Sequence, residues 1–362
     1  MSVVSWRESD ARHREVLVRS GHVLAGAQHR SHVGGVLPQA GKLPDVAPSP
    51  TAGESLESKP RCQKDYVYTY PRMYLPQRDT ASYRQFYYFL MAEVSKHSQR
   101  VYEHLKKTSF LENTIVVLTS DHGEMLGAHG GMMQKWYNAY QETLHVPCVI
   151  SNPRLFPEPR KTEVVTSHVD LVPTLLGLAG IDADAARREL ARDHSEAQLL
   201  VGRDLSGLVL GRESERHEPI YFMTDDNVES GLQMTNNLTG QAFAGVIQPK
   251  HIETVVTRLP ELTGDTPWKY SCYSDNPRFF VGAAGNTDEV ATARFIPREY
   301  ECYDLTEDPL ETRNRCSAVA AQPLSQDIRD ALDKVLKEQW EKKRLLPQNL
   351  NRNAPTKGPL RD

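Results

Sequence analysis

The residues best suited to chemistry in this sequence are Asp121 and His122, which follow a run of β-branched and apolar residues. Residues 114–120 are typical of a buried strand, and Gly123 would allow the chain to turn directly after it. A carboxylate and an imidazole side by side can bind Ca²⁺, Mg²⁺ or Mn²⁺, although the histidine disfavours a pure calcium site. The alternative is a polar turn that only closes the strand, and the spacing alone does not separate the two.

Lys135 and His129 are further candidates a short distance along the chain. Lys135 follows Gly130 and Gly131, which would let the chain fold back so that the ammonium approaches Asp121. A lysine in that place could hold one oxygen of a tetrahedral anion, whereas a lone lysine is otherwise a solvated surface charge. His129 could donate a proton or contact a substrate, and its alternative is a structural histidine.

Helices and strands that would position these residues can be predicted from periodicity. A helix is predicted over residues 80–107, and a short helix over 140–144 carries Glu142 on its surface. A second strand follows over 145–150, and a helix over 167–180 begins at a capping serine and ends at a glycine. This order is typical of a mixed or parallel sheet with helices on its faces. The stripe of the first helix is formed by Tyr83, Tyr87, Leu90, Val94, Val101 and Leu105.

The pattern changes at about residue 215, where short apolar runs separated by turns predict a small antiparallel sheet. Ser325 can cap a last helix, and its inner face is predicted to be Ile328, Leu332, Val335, Leu336 and Trp340. We therefore predict four parts along the chain. They are a weakly ordered N-terminal segment (1–60), a partial α/β domain (61–214), a C-terminal subdomain with the small antiparallel sheet and last helix (215–345), and a loose tail (346–362).

Composition excludes some classes of partner. The formal net charge of −4 gives no electrostatic case for nucleic acid or an anionic membrane, and no apolar run approaches the length of a membrane span. The N-terminus does not have the pattern of a secretory signal. The five cysteines are odd in number, widely spread and without a CxxC pair, which favours reduced thiols and a cytoplasmic protein.

Several segments together resemble the sulfatase family of the alkaline-phosphatase superfamily. They are residues 113–130, Lys135, residues 142–147 and residues 169–176, while residues 268–270 and 300–314 resemble its small C-terminal sheet. The similarity extends over about residues 43–340. The Asp-His pair and its short separation from Lys135 are most similar to the branch that holds choline sulfatases and phosphonate monoester hydrolases. The resemblance implies an α/β fold with an incomplete alkaline-phosphatase-like sheet and helices on its faces, plus a small C-terminal antiparallel sheet and helix.

The resemblance also implies roles for the candidates. Asp121 and His122 correspond to metal-site residues and Lys135 to the lysine that contacts the sulfate, while His129 falls in a variable loop and is kept as a further catalytic candidate. The family's Cys-x-Pro-Ser-Arg motif, whose first residue becomes the formylglycine nucleophile, has no counterpart among the 362 residues. We therefore expect no formylglycine, and a divalent metal (Ca²⁺ or Mn²⁺) that is weakly held if it binds.

The resemblance implies a metal-dependent sulfuric ester hydrolase that is impaired or inactive as this chain and that acts, if active, on a small sulfate or phosphate ester. The alternative is a non-catalytic sulfatase remnant, a pseudoenzyme that binds an anion or a partner. A phosphodiester or phosphonate hydrolase is the third possibility. Because the first strands of the family's sheet are missing, Ile115, Val117 and Val149 would be exposed, and we expect a homo-oligomer or a partner protein to cover them.

Overall fold

A computed structural model describes residues 45–73, 80–194, 197–225, 233–236, 239–274 and 298–344. The helices are α1 (Arg61–Met73), α2 (Thr80–Lys106), α3 (Ala128–Gly131), α4 (Gln141–Leu144), α5 (Leu171–Leu178), α6 (Ala183–Leu190), α7 (Ser206–Val209), α8 (Pro260–Thr263) and α9 (Gln326–Lys343). The strands are β1 (Val116–Thr119), β2 (Cys148–Ser151), β3 (Ile220–Asp225), β4 (Gln233–Thr235), β5 (Ala242–Ala244), β6 (His251–Arg258), β7 (Pro267–Ser274) and β8 (Glu299–Asp304). No helix among these residues is long and apolar enough to cross a membrane.

The strand that precedes Asp121 pairs with one other strand. β1 and β2 run antiparallel, with Val117 opposite Ile150, so within the described residues the pairing is not the parallel one that the sequence pattern allowed. Ile150 is buried in a cluster with α5 and α7, and Val117 packs partly against it. On the other face of β1, Val116 is partly buried and Leu118 is 46% exposed, so among the described residues this strand is less buried than its apolar sequence predicts.

The small antiparallel sheet predicted for the C-terminal part is present. Its strand order is β3-β6-β7-β8, and every neighbouring pair is antiparallel. The last helix, α9, covers one face of this sheet because Leu332 and Leu336 enter its core beside Val255 and Tyr270. The Tyr270 hydroxyl also donates to Asp333 of the helix (2.6 Å). The predicted α/β class with a separate antiparallel sheet and last helix is therefore confirmed.

Helix α2 is present over nearly the predicted length, but its apolar stripe is only partly covered. Tyr83 packs against the core around α1, whereas Leu90, Val94 and Val101 are exposed, Val101 by 72%. Among the described residues, α2 makes no extensive contact with another helix or strand. The periodicity thus predicted the helix correctly, but the described residues do not include a partner for most of the stripe.

Residues 45–60 belong to the segment that the sequence predicts to be weakly ordered, and this part of it is packed. Thr51, Leu56 and Lys59 are buried, and a single 3₁₀ turn (Leu56–Ser58) leads into α1. Residues 1–44 and the predicted tail at 346–362 lie outside the described residues. The four-part division of the chain remains a prediction.

Candidate functional site

Asp121 and His122 lie at the end of β1, where the two side chains approach each other. His122 Nε2 is 3.3 Å from Asp121 Oδ2, and the backbone N–H of His122 donates to Asp121 Oδ1 (2.9 Å). That backbone hydrogen bond is the main reason why the pKa of Asp121 is lowered. Asp121 is 81% exposed and His122 is half-buried, so both side chains are accessible from solvent.

The tautomer of His122 follows from its other nitrogen. Nδ1 lies 2.8 Å from the carbonyl oxygen of Gly123, and a carbonyl can only accept, so Nδ1 carries the proton. In the neutral ring, Nε2 then presents a lone pair beside the carboxylate oxygen of Asp121. Two electron-pair donors at this separation have the arrangement of one edge of a metal coordination shell.

Gly123 is required for a different reason from the one the sequence suggested. A Cβ on this residue would lie 1.9 Å from the carbonyl oxygen of Glu142, so no side chain fits. The N–H of Gly123 donates to Thr143 (2.8 Å), and that of Glu124 donates to Glu142 (2.9 Å). The glycine thus permits close approach of α4 to the chain after β1, and this contact fixes where the site loop begins.

The loop after the Asp-His pair closes on itself and brings Lys135 close enough to Glu124 for its charge to act there. Met125 N–H donates to the Gln134 carbonyl (2.8 Å), while Gln134 N–H donates to Glu124 Oε1 (2.7 Å). Lys135 follows directly, and its charge acts on Glu124, as does the charge of His122. Burial still raises the pKa of Glu124 above its usual value, because it outweighs those hydrogen bonds and charges. His122 and Lys135 therefore both act on one half-buried carboxylate.

Two tyrosines of α2 border this carboxylate and were not recognised as site residues from the sequence. The Tyr83 hydroxyl donates to Glu124 Oε1 (3.5 Å). Burial, followed by the charge of Glu124, raises the pKa of Tyr87, and Asp121 contributes as well. Their spacing of four residues placed them on one face of the helix, but nothing in the sequence linked that face to Glu124.

The loop has an unusual backbone. Four residues other than glycine have positive φ angles within it: Leu126 (50°), His129 (46°), Gln134 (59°) and Tyr137 (60°). Each such conformation costs on the order of 1 kcal/mol and persists only when the surroundings impose it. A concentration of strained residues beside accessible polar side chains is typical of a functional loop.

His129 is fully buried and holds the loop from inside. Its Nδ1 lies 2.7 Å from Glu54 Oε2, its Nε2 lies 3.5 Å from Glu142 Oε2, and its ring stacks on Tyr140 at 3.7 Å. Burial alone lowers the pKa of His129, but the hydrogen bonds and charges of Glu142 and Glu54 outweigh it and raise the pKa to about 9. Glu142 is accordingly a largely buried ion-pair partner, with its side chain 13% exposed, and not the surface acid that the helical pattern predicted. These surroundings support a structural role, and a catalytic role for His129 remains a prediction.

The ion pairs continue from Glu54 into the C-terminal part of the chain. Lys59 Nζ lies 3.1 Å from Glu54 Oε1 and donates to the Tyr303 hydroxyl (2.9 Å) and the Glu311 carbonyl (2.6 Å). The Glu311 carboxylate pairs with Lys269 (2.7 Å), and both side chains are buried. Burial raises the pKa of Glu311 despite this lysine. Buried charges of both signs thus connect the residues before α1 with the loop and with the C-terminal sheet.

Glu301 of β8 is a second buried carboxylate beside these pairs. Tyr140 (2.9 Å) and Tyr303 (2.5 Å) donate to its Oε1, and Tyr273 (2.5 Å) and Gln63 (3.0 Å) donate to its Oε2. Hydrogen bonds to a carboxylate are about twice as strong as those between neutral groups, so they offset much of the cost of burial. Tyr140 stacks on His129, and Glu301 therefore also supports the loop.

The donor set can be tested for a divalent metal. Asp121 and His122 supply one oxygen and one nitrogen with suitable geometry and access. Ca²⁺ takes six to eight ligands, and the described residues contain no group of three or more His, Cys, Asp or Glu side chains that could hold an ion. The pair therefore fits part of a metal site and does not complete one among these residues.

Comparisons with known proteins show what this chain is similar to. The sulfatase family model matches residues 47–181, which include the Asp-His pair, the loop and α4. The chain is 25% identical over 260 residues to arylsulfatase K of Xenopus laevis, covering 71% of this chain and 38% of that protein. It is 42% identical over 71 residues to the uncharacterized sulfatase YidJ of Escherichia coli K12, covering 20% and 14% of the two chains. The chain thus spans less than two-fifths of the length of these curated relatives.

Solved structures agree at the level of fold. A putative sulfatase from Bacteroides thetaiotaomicron superposes with a TM-score of 0.51 and 20% identity. The match covers 86% of this chain and 54% of the putative sulfatase. A 2-O GAG sulfatase superposes with a TM-score of 0.52, the same identity and the same coverage. Residues 47–181 are thus similar to the sulfatase family, and the fold of the chain is sulfatase-like.

Proposed function

We propose that the chain holds part of a sulfuric ester hydrolase site and is impaired or inactive as a chain of 362 residues. Asp121 and His122 would contribute to the binding of a divalent metal, Ca²⁺ or Mn²⁺, and Lys135 would contact an oxygen of a small sulfate ester. The observation that carries this proposal is the closed loop, in which the backbone pairing of Met125 and Gln134 brings Lys135 back to Glu124. The strained backbone of the loop and its buried support from His129 are consistent with it.

The proposed impairment rests on what the residues supply. A lysine ammonium can stabilise negative charge on an ester oxygen, and the buried ion pairs would keep the loop rigid enough for that purpose. An activated nucleophile is also needed, and the family's Cys-x-Pro-Ser-Arg motif does not occur in the 362 residues. The two potential metal ligands do not complete a site among the described residues.

Turnover of 4-nitrophenyl sulfate by the purified chain, with and without Ca²⁺ or Mn²⁺, tests the impairment. We expect no release of nitrophenol above buffer. The control variant is Lys107→Met, which changes an exposed lysine outside the site. Metal-dependent turnover by the wild type would overturn the proposed impairment. If Lys135→Met lost this turnover and Lys107→Met kept it, the result would still support the site.

Binding of inorganic sulfate tests the site without requiring catalysis. Titration followed by NMR should show weak binding that is lost in Lys135→Met and unchanged in Lys107→Met. Equal binding by both variants would contradict the role proposed for Lys135, because the sulfate would then not depend on the loop.

The alternative proposal is a pseudoenzyme that binds an anion or a partner. The apolar side chains exposed on α2 and β1, such as Val101 and Leu118, favour it because large exposed apolar surfaces are often interfaces. It predicts weak metal binding and association with a second copy or another protein. Calorimetry that shows tight, stoichiometric uptake of Mn²⁺ or Ca²⁺ by a monomer would contradict it.

The finer assignment within the superfamily is also a proposal. The Asp121-His122 pair and its short separation from Lys135 favour the choline-sulfatase and phosphonate monoester hydrolase branch. Assays with choline sulfate and with a phenyl ester of phenylphosphonic acid would compare the two, and activity towards the phosphonate would support the third possibility. A cytoplasmic location is proposed from the five free thiols and would be tested by cell fractionation.

A further inference from the structure

Cys302 and Cys316 lie side by side at the edge of the core between the C-terminal sheet and α9. Cys302 is fully buried in β8, and Cys316, on the segment that leads towards α9, is partly exposed. Both belong to the same cluster of packed side chains. Each of the two thiols acts on the pKa of the other.

The backbone around the two cysteines is fixed by a single side chain. Asn314 Oδ1 accepts the N–H of Cys302 (3.1 Å) and the N–H of Cys316 (2.9 Å). Arg315 N–H donates to the Cys302 carbonyl (2.9 Å), so the segment runs directly alongside the strand. The N–H groups of both cysteines thus converge on one oxygen atom, which brings the two backbones close together, as a disulfide requires.

The two thiols differ in chemical character. The pKa of Cys316 is lowered, mainly by a hydrogen bond from Cys302 and further by the charge of Arg329, and these effects outweigh burial. Burial raises the pKa of Cys302. A partly exposed thiol of lowered pKa beside a buried thiol is the pairing found in proteins that react with oxidants and then resolve the product.

We propose that Cys302 and Cys316 form a redox-active dithiol that is converted to an intramolecular disulfide by a hydroperoxide. The Cys316 thiolate attacks one oxygen of hydrogen peroxide, the O–O bond breaks, and hydroxide leaves as water after it takes a proton, so Cys316 becomes a sulfenic acid. The Cys302 sulfur then attacks the Cys316 sulfur, the S–O bond breaks, and a second water leaves with the Cys302 proton. Two thiols lose two electrons in total, and one peroxide is reduced to two waters.

The proposal is tested on the full reduced chain treated with hydrogen peroxide close to stoichiometric amounts. Intact mass should fall by about 2 Da, and non-reducing peptide mapping should find Cys302 linked to Cys316. Cys302→Ser should instead gain about 16 Da at Cys316 and react with dimedone, because the sulfenic acid has no resolving thiol. The matched control is Cys272→Ser. Cys272 is buried in the same sheet, and burial raises the pKa of its thiol to about 12. This variant should form the Cys302–Cys316 disulfide as the wild type does.

Three results would overturn the proposal. They are a crosslink that maps to other cysteines, dimedone labelling in Cys302→Ser at residues other than Cys316, and wild-type oxidation that adds oxygen atoms without a crosslink. The peptide map of the wild type decides the matter even if a serine variant fails to fold.

Discussion

The buried ion pairs of His129 make a specific prediction about stability and pH. The pKa of His129 is raised to about 9 in the folded chain, since Glu142 and Glu54 outweigh burial, whereas an unfolded histidine titrates near 6.5. The folded state therefore holds the proton more tightly. The resulting stabilisation is fully present below about pH 6.5 and is lost as the pH rises through about 9.

The magnitude follows from the two pKa values. A difference of about 2.5 units corresponds to about 3 kcal/mol, of which about 2–3 kcal/mol should disappear between pH 7 and pH 9.5. No discount for solvent screening is needed, because the His129 side chain is fully buried. This loss is a large fraction of the 5–15 kcal/mol by which folded domains are typically stable.

Urea denaturation at pH 7 and pH 9.5 measures the effect. Because lysines, tyrosines and thiols also titrate in this range, the decisive quantity is the difference in pH dependence between the wild type and His129→Gln. We expect the variant to lack about 2 kcal/mol of the wild-type loss, and His97→Gln, at an exposed position on α2, to retain it. Glu142→Gln, which removes one carboxylate and keeps an amide at the same place, should show an intermediate slope. Equal pH dependence of the wild type and His129→Gln would refute the reasoning.

Three further predictions concern stability and metal binding. Lys269→Met should lower the free energy of unfolding, measured by urea denaturation, by about 3–5 kcal/mol because it leaves Glu311 buried without its cation. The double variant with Glu311→Gln should recover part of that loss. No recovery would show that the two side chains are not coupled. Leu332→Ala should cost about 2–4 kcal/mol by opening a cavity under α9, and a change below about 1 kcal/mol would show that this helix contributes little to the core. Asp121→Ala should change the free energy of unfolding by less than about 0.5 kcal/mol because the side chain is exposed. The same variant should abolish any Mn²⁺ uptake seen by calorimetry. Uptake equal to that of the wild type would exclude Asp121 as a ligand.

The elements that the sequence predicted well are those whose patterns are local. The inner face assigned to α9 is the face that packs on the sheet, with Leu332 and Leu336 buried. The Ser167 cap is present as a reciprocal hydrogen-bonded box with Asp170, and Gly180 has the positive φ expected at a helix end. In each case a few neighbouring residues decide the outcome.

The elements that were missed depend on distant packing. Helix α1 was not predicted, because its buried face is made of tyrosines and a cysteine among charged residues and has no aliphatic stripe. The stripe on α2 predicted a helix correctly but could not show that Val94 and Val101 would remain exposed. Strand β1 was expected to be buried, and its burial depends on neighbours that no local pattern specifies.

The candidate site divides in the same way. Asp121, His122 and Lys135 could be chosen because they lie close together in the sequence around a strand end and two glycines. The partners that hold the loop could not be chosen, since Glu54 is 75 positions from His129 and Lys59 is 252 positions from Glu311. Nothing local distinguishes a glutamate that enters a core from one that faces water.

The carboxylate of Glu301 has a consequence for dividing the protein. Its hydrogen-bond donors come from α1, from the loop before α4 and from the C-terminal sheet itself. If the chain were cut near residue 215, each half would lose part of one shared polar core, and the Tyr140 hydroxyl would be separated from its carboxylate. Neither half should behave as an autonomous folding unit. The two halves should instead complement each other when they are co-expressed, with reassembly that depends on residue 301 being an acid.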